Sequence, residues 1–115
     1  ISIDGVGKLQ EYIRPGSDWN TLTKNIKLLR QHKISLQTVS TIGVLNILGL
    51  QELEDWCQTN GIHWGQPGLI ERPLELQPHN LPYQLHKFVP EKYKKYITGK
   101  ATHDPVNFVR ELDRY

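Results

Sequence analysis

The 115-residue sequence contains no methionine and only one cysteine, Cys57. A single thiol excludes an internal disulfide framework and is typical of a reducing compartment, so we expect a cytoplasmic location. Because methionine is absent, the chain as given does not begin at a start codon, and its first residues resemble the middle of a strand. We therefore expect a piece of a longer protein whose preceding strands lie upstream.

Long apolar runs and strong charge are also missing. No run reaches membrane-spanning length, and no secretory signal is visible. The formal net charge of +2 is too small to indicate nucleic acid or a membrane surface, so we expect neither as a partner. The hydrophobic fraction of 37% is enough to form the core of one small domain.

The first part of the chain alternates strand-like and helix-like segments. A strand ends near Asp4, and residues 9–16 predict a loop with Pro15-Gly16 as a turn signal. A helix then begins at a capping Ser17 or Asp18 and carries an apolar stripe at helical spacing. Residues 34–40 alternate apolar and polar side chains and predict a strand.

The same alternation continues further along the chain. Residues 48–59 predict a second helix that ends at Asn60-Gly61, and residues 62–65 predict a strand that residues 69–71 extend. The order strand, helix, strand, helix, strand predicts an α/β fold in which crossover helices join parallel strands.

The remainder is predicted to be irregular and then helical. Residues 72–82 contain three prolines, and short helices are predicted at 83–88 and 90–97. A last helix is predicted to begin with Asp104 as its cap and a proline at its first position. We divide the chain into an α/β part, residues 1–76, and a helical C-terminal extension, residues 77–115.

Polar side chains follow the first predicted strand. Ligands of α/β sheets and barrels gather at the carboxyl ends of strands, which is where Ser2 and Asp4 lie. A guanidinium such as that of Arg14 suits a carboxylate because its donors form a fixed fork. The alternatives are an Asp-Gly turn for the tetrapeptide and a surface salt bridge for the arginine.

The wider string resembles radical S-adenosylmethionine (radical SAM) enzymes of the twitch/SPASM type, from their fourth barrel strand onward. The residues that carry the resemblance are Ser2-Ile3-Asp4-Gly5-Val6-Gly7, Glu11-Tyr12-Ile13-Arg14, Gly16-Ser17, Trp19 and Asn25-Ile26. It covers most of the chain and is best over residues 1–46. It implies part of a (β/α)6 partial TIM barrel, namely the fourth to sixth strands with crossover helices, plus C-terminal helices.

The resemblance also implies a cofactor site. Ser2 and Asp4 would line the pocket for S-adenosylmethionine, Arg14 would approach its carboxylate, and Ser40 would lie along the same pocket. Asn46 would contact the adenine or ribose, although a helix cap is an alternative for it. The catalytic residues are not identified.

Radical SAM enzymes hold a [4Fe-4S] cluster with a Cys-x3-Cys-x2-Cys loop, and this chain has one cysteine, so the cluster ligands lie outside it. The parent would be an oxidoreductase or modification enzyme that acts on a substrate such as a peptide, with a reductant protein as partner. The fragment alone would be inactive.

Two other functions stay open. One is a non-catalytic α/β module that binds a peptide or nucleic acid. The other is a small enzyme that uses Asp4 and His63 as an acid/base pair, although a structural histidine is the alternative for His63.

Three remaining features favour structural roles. The five histidines form no i, i+4 pair, so a zinc site is not expected. The run Tyr93-Lys94-Lys95-Tyr96 mixes basic and aromatic residues as single-strand binders do, but it is interpreted as a solvated helix face. Cys57 is predicted to pack in the core rather than to react.

Overall fold

A computed structural model describes residues 1–113 of the chain. The described chain divides into two compact units. The first unit consists of residues 1–41 and 49–68, and the second consists of residues 42–48 and the chain from residue 69 onward.

The first unit is built on short parallel strand segments. Ser2 pairs with Val39 and Gln37 pairs with His63, both in parallel orientation. The Ile3 N–H donates to the Val39 carbonyl at 3.2 Å. The segment around residues 36–40 therefore lies between the first residues of the chain and the segment at His63, as the predicted order of parallel strands requires.

Regular strand structure begins just beyond this segment. Strand β1, Thr41–Ile42, and strand β2, Gly68–Leu69, form a two-stranded sheet. Their pairing is parallel, because the Gly68 N–H donates to the Ser40 carbonyl and the Ile70 N–H donates to the Ile42 carbonyl, both at 2.9 Å. The sequence predicted no strand at residues 41–42, so β1 was missed.

The predicted loop at residues 9–16 was also wrong, because a helix, α1, occupies Lys8–Ile13. Hydrogen bonds of its Gln10 side chain hold this short helix against the end of the first strand segment. The buried Gln10 side chain accepts from the backbone N–H groups of Asp4, at 2.7 Å, and Gly5, at 3.2 Å. Local sequence patterns do not reveal such contacts.

Two longer helices agree with the sequence prediction. Helix α2, Trp19–Gln31, begins after Asp18, whose carboxylate accepts from the Asn20 N–H at 3.2 Å. Helix α3, Leu50–Thr59, ends at Asn60, and Gly61 follows with φ of +68°, which suits a helix end.

The core of the first unit lies between these two helices and one face of the parallel segments. It consists of Ile3, Ile26, Leu53, Cys57 and Ile62. Burial of Cys57 agrees with its predicted packing role. The other face of the segments is open, since Ser2, Gln37, Val39 and His63 are exposed. Parallel sheets are usually covered on both faces, so this bare face is a distinctive feature of the unit.

The second unit is dominated by short 3₁₀ helices and one α-helix. After the turn Ile47–Gly49 at the boundary of the two units, the 3₁₀ helices are Leu74–Leu76, Pro78–Asn80, Tyr83–Phe88 and Glu91–Ile97. Helix α4, Pro105–Leu112, is capped by Asp104, which accepts from the Val106 N–H at 2.9 Å. The side chains that form the interior of this unit are Ile42, Ile47, Leu76, Leu81, Val89, Tyr93 and Ile97.

The structure thus supports a compact, mixed α/β arrangement with parallel strand segments. Residues 1–113 give no evidence of a partial TIM barrel, so that finer assignment stays a prediction. The predicted division of the chain into residues 1–76 and 77–115 also stays a prediction. None of the helices between residues 1 and 113 combines the length and apolar character needed to cross a bilayer.

Candidate functional site at the carboxyl ends of the strand segments

Asp4 is the centre of a polar cluster at the end of the first strand segment. Its side chain is only 4% exposed. One carboxylate oxygen, Oδ2, accepts from Arg14 Nε at 2.6 Å, and the other, Oδ1, accepts from the Thr41 N–H at 2.9 Å. A single carboxylate therefore joins the first strand segment, the end of α1 and the start of β1.

Neighbouring hydrogen bonds hold the backbone of this cluster. The buried Ser40 hydroxyl donates to the Ile3 carbonyl, across the two adjacent segments. Gln10 accepts from the N–H groups of residues 4 and 5, as described above. The Ser40 side chain thus links two adjacent strand segments next to the site, and its contact with a cofactor stays a prediction.

Arg14 combines a fixed position with access to solvent. It follows α1 directly, and its side chain is 42% exposed although it contacts a buried carboxylate. The guanidinium has five N–H donors, and the contact with Asp4 is made through Nε. A contact made through Nε leaves the terminal Nη donors for a second acceptor, such as the carboxylate of a ligand.

Ser2 and His63 lie on the bare face of the parallel segments. Pairing of Ser2 with Val39 and of Gln37 with His63 puts all four side chains on the same face, because side chains alternate along a strand. Neither the Ser2 hydroxyl nor the His63 ring bonds to any residue within 1–113. Both are therefore available to a ligand.

The sequence left His63 open between a functional residue and a structural histidine, and the structure exposes its side chain. The alternation Ile62-His63-Trp64 was the signal, since Ile62 is buried in the core and its neighbour must face the other way. Gln10 was not predicted as a supporting residue, because its role depends on bonds to backbone N–H groups that only the folded chain shows.

Asn46 belongs to the second unit, and Asp4 belongs to the first. It is buried, and its side-chain Oδ1 accepts from the Gly43 N–H at 2.8 Å. This bond runs back to an earlier residue of the turn and does not cap the helix that follows, and the contact of Asn46 with a cofactor stays a prediction.

Cys57 is unsuited to metal binding or nucleophilic attack. Burial, with a smaller contribution from the nearby Glu54 charge, raises the pKa of its thiol to about 11. A thiol with this pKa is protonated at neutral pH, whereas ligands and nucleophiles are thiolates. Residues 1–113 contain no group of three or more His, Cys, Asp or Glu side chains that could hold a metal ion.

A separate groove of about 580 Å³ lies on the helical side of the first unit. Side chains of α2 and α3 line it, including Lys24, Lys27, Arg30 and Trp56. None of the predicted cofactor residues lines this groove, so it is distinct from the cluster around Asp4.

Comparisons of the chain with models of protein families, with curated proteins and with solved structures found no match.

Proposed function

We propose that this chain forms the S-adenosylmethionine-facing part of a radical SAM enzyme, as a half of its partial barrel. The observation that carries the proposal is the Asp4–Arg14 pair at the carboxyl ends of parallel strand segments. This pair lies in the same unit as the bare face of the strand segments, on which Ser2 and His63 are exposed. In a barrel, that face would be the interior, where cofactor and substrate bind.

The polar groups present fit an amino acid with a nucleoside attached. The Nη edge of Arg14 suits the carboxylate of S-adenosylmethionine, and Asp4 holds the guanidinium in place. The Ser2 hydroxyl can donate to or accept from the amino or ribose groups. The Ser40 hydroxyl, which donates to the Ile3 carbonyl, keeps the two strand segments in register.

A [4Fe-4S] cluster does not fit the residues of this chain. Cluster ligation requires several thiolates, and the one cysteine is a buried thiol with a raised pKa. The ligands are therefore assigned to other residues of the parent enzyme. S-Adenosylmethionine supplies the radical chemistry in enzymes of this type, while the residues described here bind and orient it.

The parent is accordingly proposed to be a cytoplasmic oxidoreductase or modification enzyme with a reductant protein as partner. Its substrate would face His63 on the bare sheet face. The fragment by itself is expected to cleave no S-adenosylmethionine, because it lacks the ligands of the cluster.

The first test is titration of S-adenosylmethionine into the ¹⁵N-labelled chain. We expect chemical-shift changes at Ser2, Gly5 and Arg14, and affinity at least about tenfold weaker in Arg14→Gln, since an ionic hydrogen-bonded contact contributes roughly 1.5–3 kcal/mol. Arg30→Gln, which removes an exposed arginine from the helical groove, is the matched control.

The second test is the reading frame upstream of Ile1. Three cysteines spaced Cys-x3-Cys-x2-Cys are expected there, within roughly one domain length. A reading frame without them, or Arg14→Gln binding the cofactor as tightly as the unsubstituted chain, would exclude the proposed function.

A further inference from the structure

Positive charge is concentrated in one part of the second unit. Residues 83–100 contain five lysines and one carboxylate, Glu91, although the whole chain has a net charge of only +2. The mild overall charge thus hides a basic segment. Two 3₁₀ helices, Tyr83–Phe88 and Glu91–Ile97, carry four of these lysines.

Aromatic rings accompany these lysines at the surface. The Tyr83 side chain is 83% exposed and Phe88 is 61% exposed, although rings of this size are usually at least partly buried. The Tyr83 ring lies beside the His86 ring, with centroids 5.4 Å apart. Between the two helices is a concavity of about 480 Å³, lined by Tyr83, Gln84, His86, Lys87 and Lys94.

The buried side of the same segment holds these groups in place. Tyr93 and Ile97 are buried, so the second 3₁₀ helix is anchored through its apolar residues. The sequence interpretation of residues 93–96 as one solvated face is therefore wrong for Tyr93. Lys94 carries little local compensation, since its contact with Glu91 at 3.5 Å is between exposed groups and contributes little.

We propose that this basic aromatic surface, defined as Tyr83, His86, Lys87, Phe88 and Lys94, binds single-stranded nucleic acid. Lys87 and Lys94 contact backbone phosphates, and the exposed side chains of Tyr83 and Phe88 stack on bases. This combination is the general physics of single-strand binding, in which cations follow the backbone and rings accept any base. An acidic peptide would use the lysines but would leave the two rings without a stacking partner.

The proposal does not depend on the function proposed for the Asp4 cluster. It rests on a different unit and on different residues. Binding of a nucleic acid and binding of S-adenosylmethionine can therefore succeed or fail separately, and each has its own variants.

The charge component is tested by fluorescence anisotropy of the complete chain with a labelled short oligothymidylate and oligouridylate over a range of salt concentrations. Each phosphate contact in a single strand contributes about −0.7 to the slope of log K against log salt. Lys87→Gln combined with Lys94→Gln is expected to reduce the magnitude of that slope by about 1.4. Lys24→Gln with Lys27→Gln, which removes the same charge from α2, is expected to leave it nearly unchanged.

The stacking component is tested by Tyr83→Ala and Phe88→Ala. Each is expected to weaken binding by about tenfold, with the salt slope preserved, because stacking on a base does not involve counterions. Leu28→Ala, which truncates an exposed apolar side chain of α2, is the matched control. Unchanged urea midpoints in all variants establish that the fold is intact.

Three results would overturn the proposal. In the first, Tyr83→Ala and Phe88→Ala bind the oligonucleotide as tightly as the unsubstituted chain, and polyglutamate displaces the labelled oligonucleotide as well as the unlabelled one does. That result would assign the surface to an acidic peptide. Another is preferential binding to vesicles rich in phosphatidylserine, which would assign it to a lipid surface. The third is an equal loss of affinity in the α2 lysine control, which would indicate dispersed charge without a site.

Discussion

Loss of the Arg14 guanidinium gives the sharpest test of the cluster around Asp4. In Arg14→Gln the Asp4 carboxylate, 4% exposed, keeps the hydrogen bond from the Thr41 N–H but loses the Arg14 guanidinium. Removal of one partner from a fully buried pair costs roughly 3–5 kcal/mol, whereas an exposed pair contributes about 0–1 kcal/mol. Because Arg14 itself is 42% exposed, water and salt already weaken the pair, and we expect a loss of about 2 kcal/mol in the free energy of unfolding.

A double-mutant cycle with Asp4→Asn separates this pair from its surroundings. The asparagine can still accept a hydrogen bond from the Thr41 N–H, but it has no negative charge to pair with the Arg14 guanidinium. If the two groups interact directly, the double variant should lose less than the sum of the single losses, with a coupling of roughly 1–2 kcal/mol. The free energies come from urea unfolding at low and high salt.

Lys94→Gln is the control for this cycle, since it breaks the exposed Lys94–Glu91 contact. That variant should change stability by less than about 0.5 kcal/mol, and high salt should remove most of the change. Additive single losses, or an Arg14→Gln variant as stable as the unsubstituted chain, would refute the reasoning that Asp4 needs the guanidinium.

Three further predictions concern the first unit. Since burial raises the pKa of Cys57 from 9.0 to about 11, the unfolded chain releases this proton first, and stability should fall by about 2 kcal/mol between these pH values, as followed by urea midpoints. Asp18→Ala removes the cap of α2 and should cost about 1 kcal/mol in urea unfolding. Gly65→Ala would place a methyl group 2.4 Å from the Thr38 carbonyl oxygen and should lower the free energy of unfolding by about 1–3 kcal/mol.

Each of these has its own check. Cys57→Ala should remove the excess slope above pH 9, because that slope arises from a thiol that ionises more readily in the unfolded chain than in the folded one. Asp18→Asn, which retains a capping oxygen, should recover most of the loss of Asp18→Ala. Gly68→Ala, at a position where an added methyl group meets nothing within 4 Å, is the control for Gly65→Ala. The thiol explanation is contradicted if Cys57→Ala has the same slope of stability against pH as the unsubstituted chain. The cap and glycine explanations are contradicted if Asp18→Asn is as unstable as Asp18→Ala, or if Gly68→Ala is as unstable as Gly65→Ala.

Helices α2, α3 and α4 were predicted from their capping residues and apolar spacing, and the parallel order was predicted from the alternation of strands and helices. Asp18 before an apolar stripe predicted the start of α2, and Gly61 marked the end of α3. The alternation at residues 34–40 predicted the central segment. Helix α1 was missed because its six residues are fixed by Gln10 and neighbouring contacts, which have no local signature.

The candidate site was predicted in part, for the same reason. Asp4 and Arg14 were both selected from the sequence, but their direct contact at 2.6 Å could not be read from a spacing of ten residues. The exposure of His63 required knowing which face the helices cover. The basic aromatic surface was underestimated because composition averages a charged segment with the rest of the chain, and because helical spacing does not apply to 3₁₀ helices.

The way that Asp4 holds Arg14 has a consequence for ligand affinity. A flexible arginine loses rotamer freedom when it closes on a carboxylate, and that loss reduces binding by as much as roughly 1.5 kcal/mol. Here the fold has already restricted the side chain through Nε, so a carboxylate arriving at the terminal edge meets a preorganised partner. Residue 4 would then strengthen binding of a ligand that it need never touch.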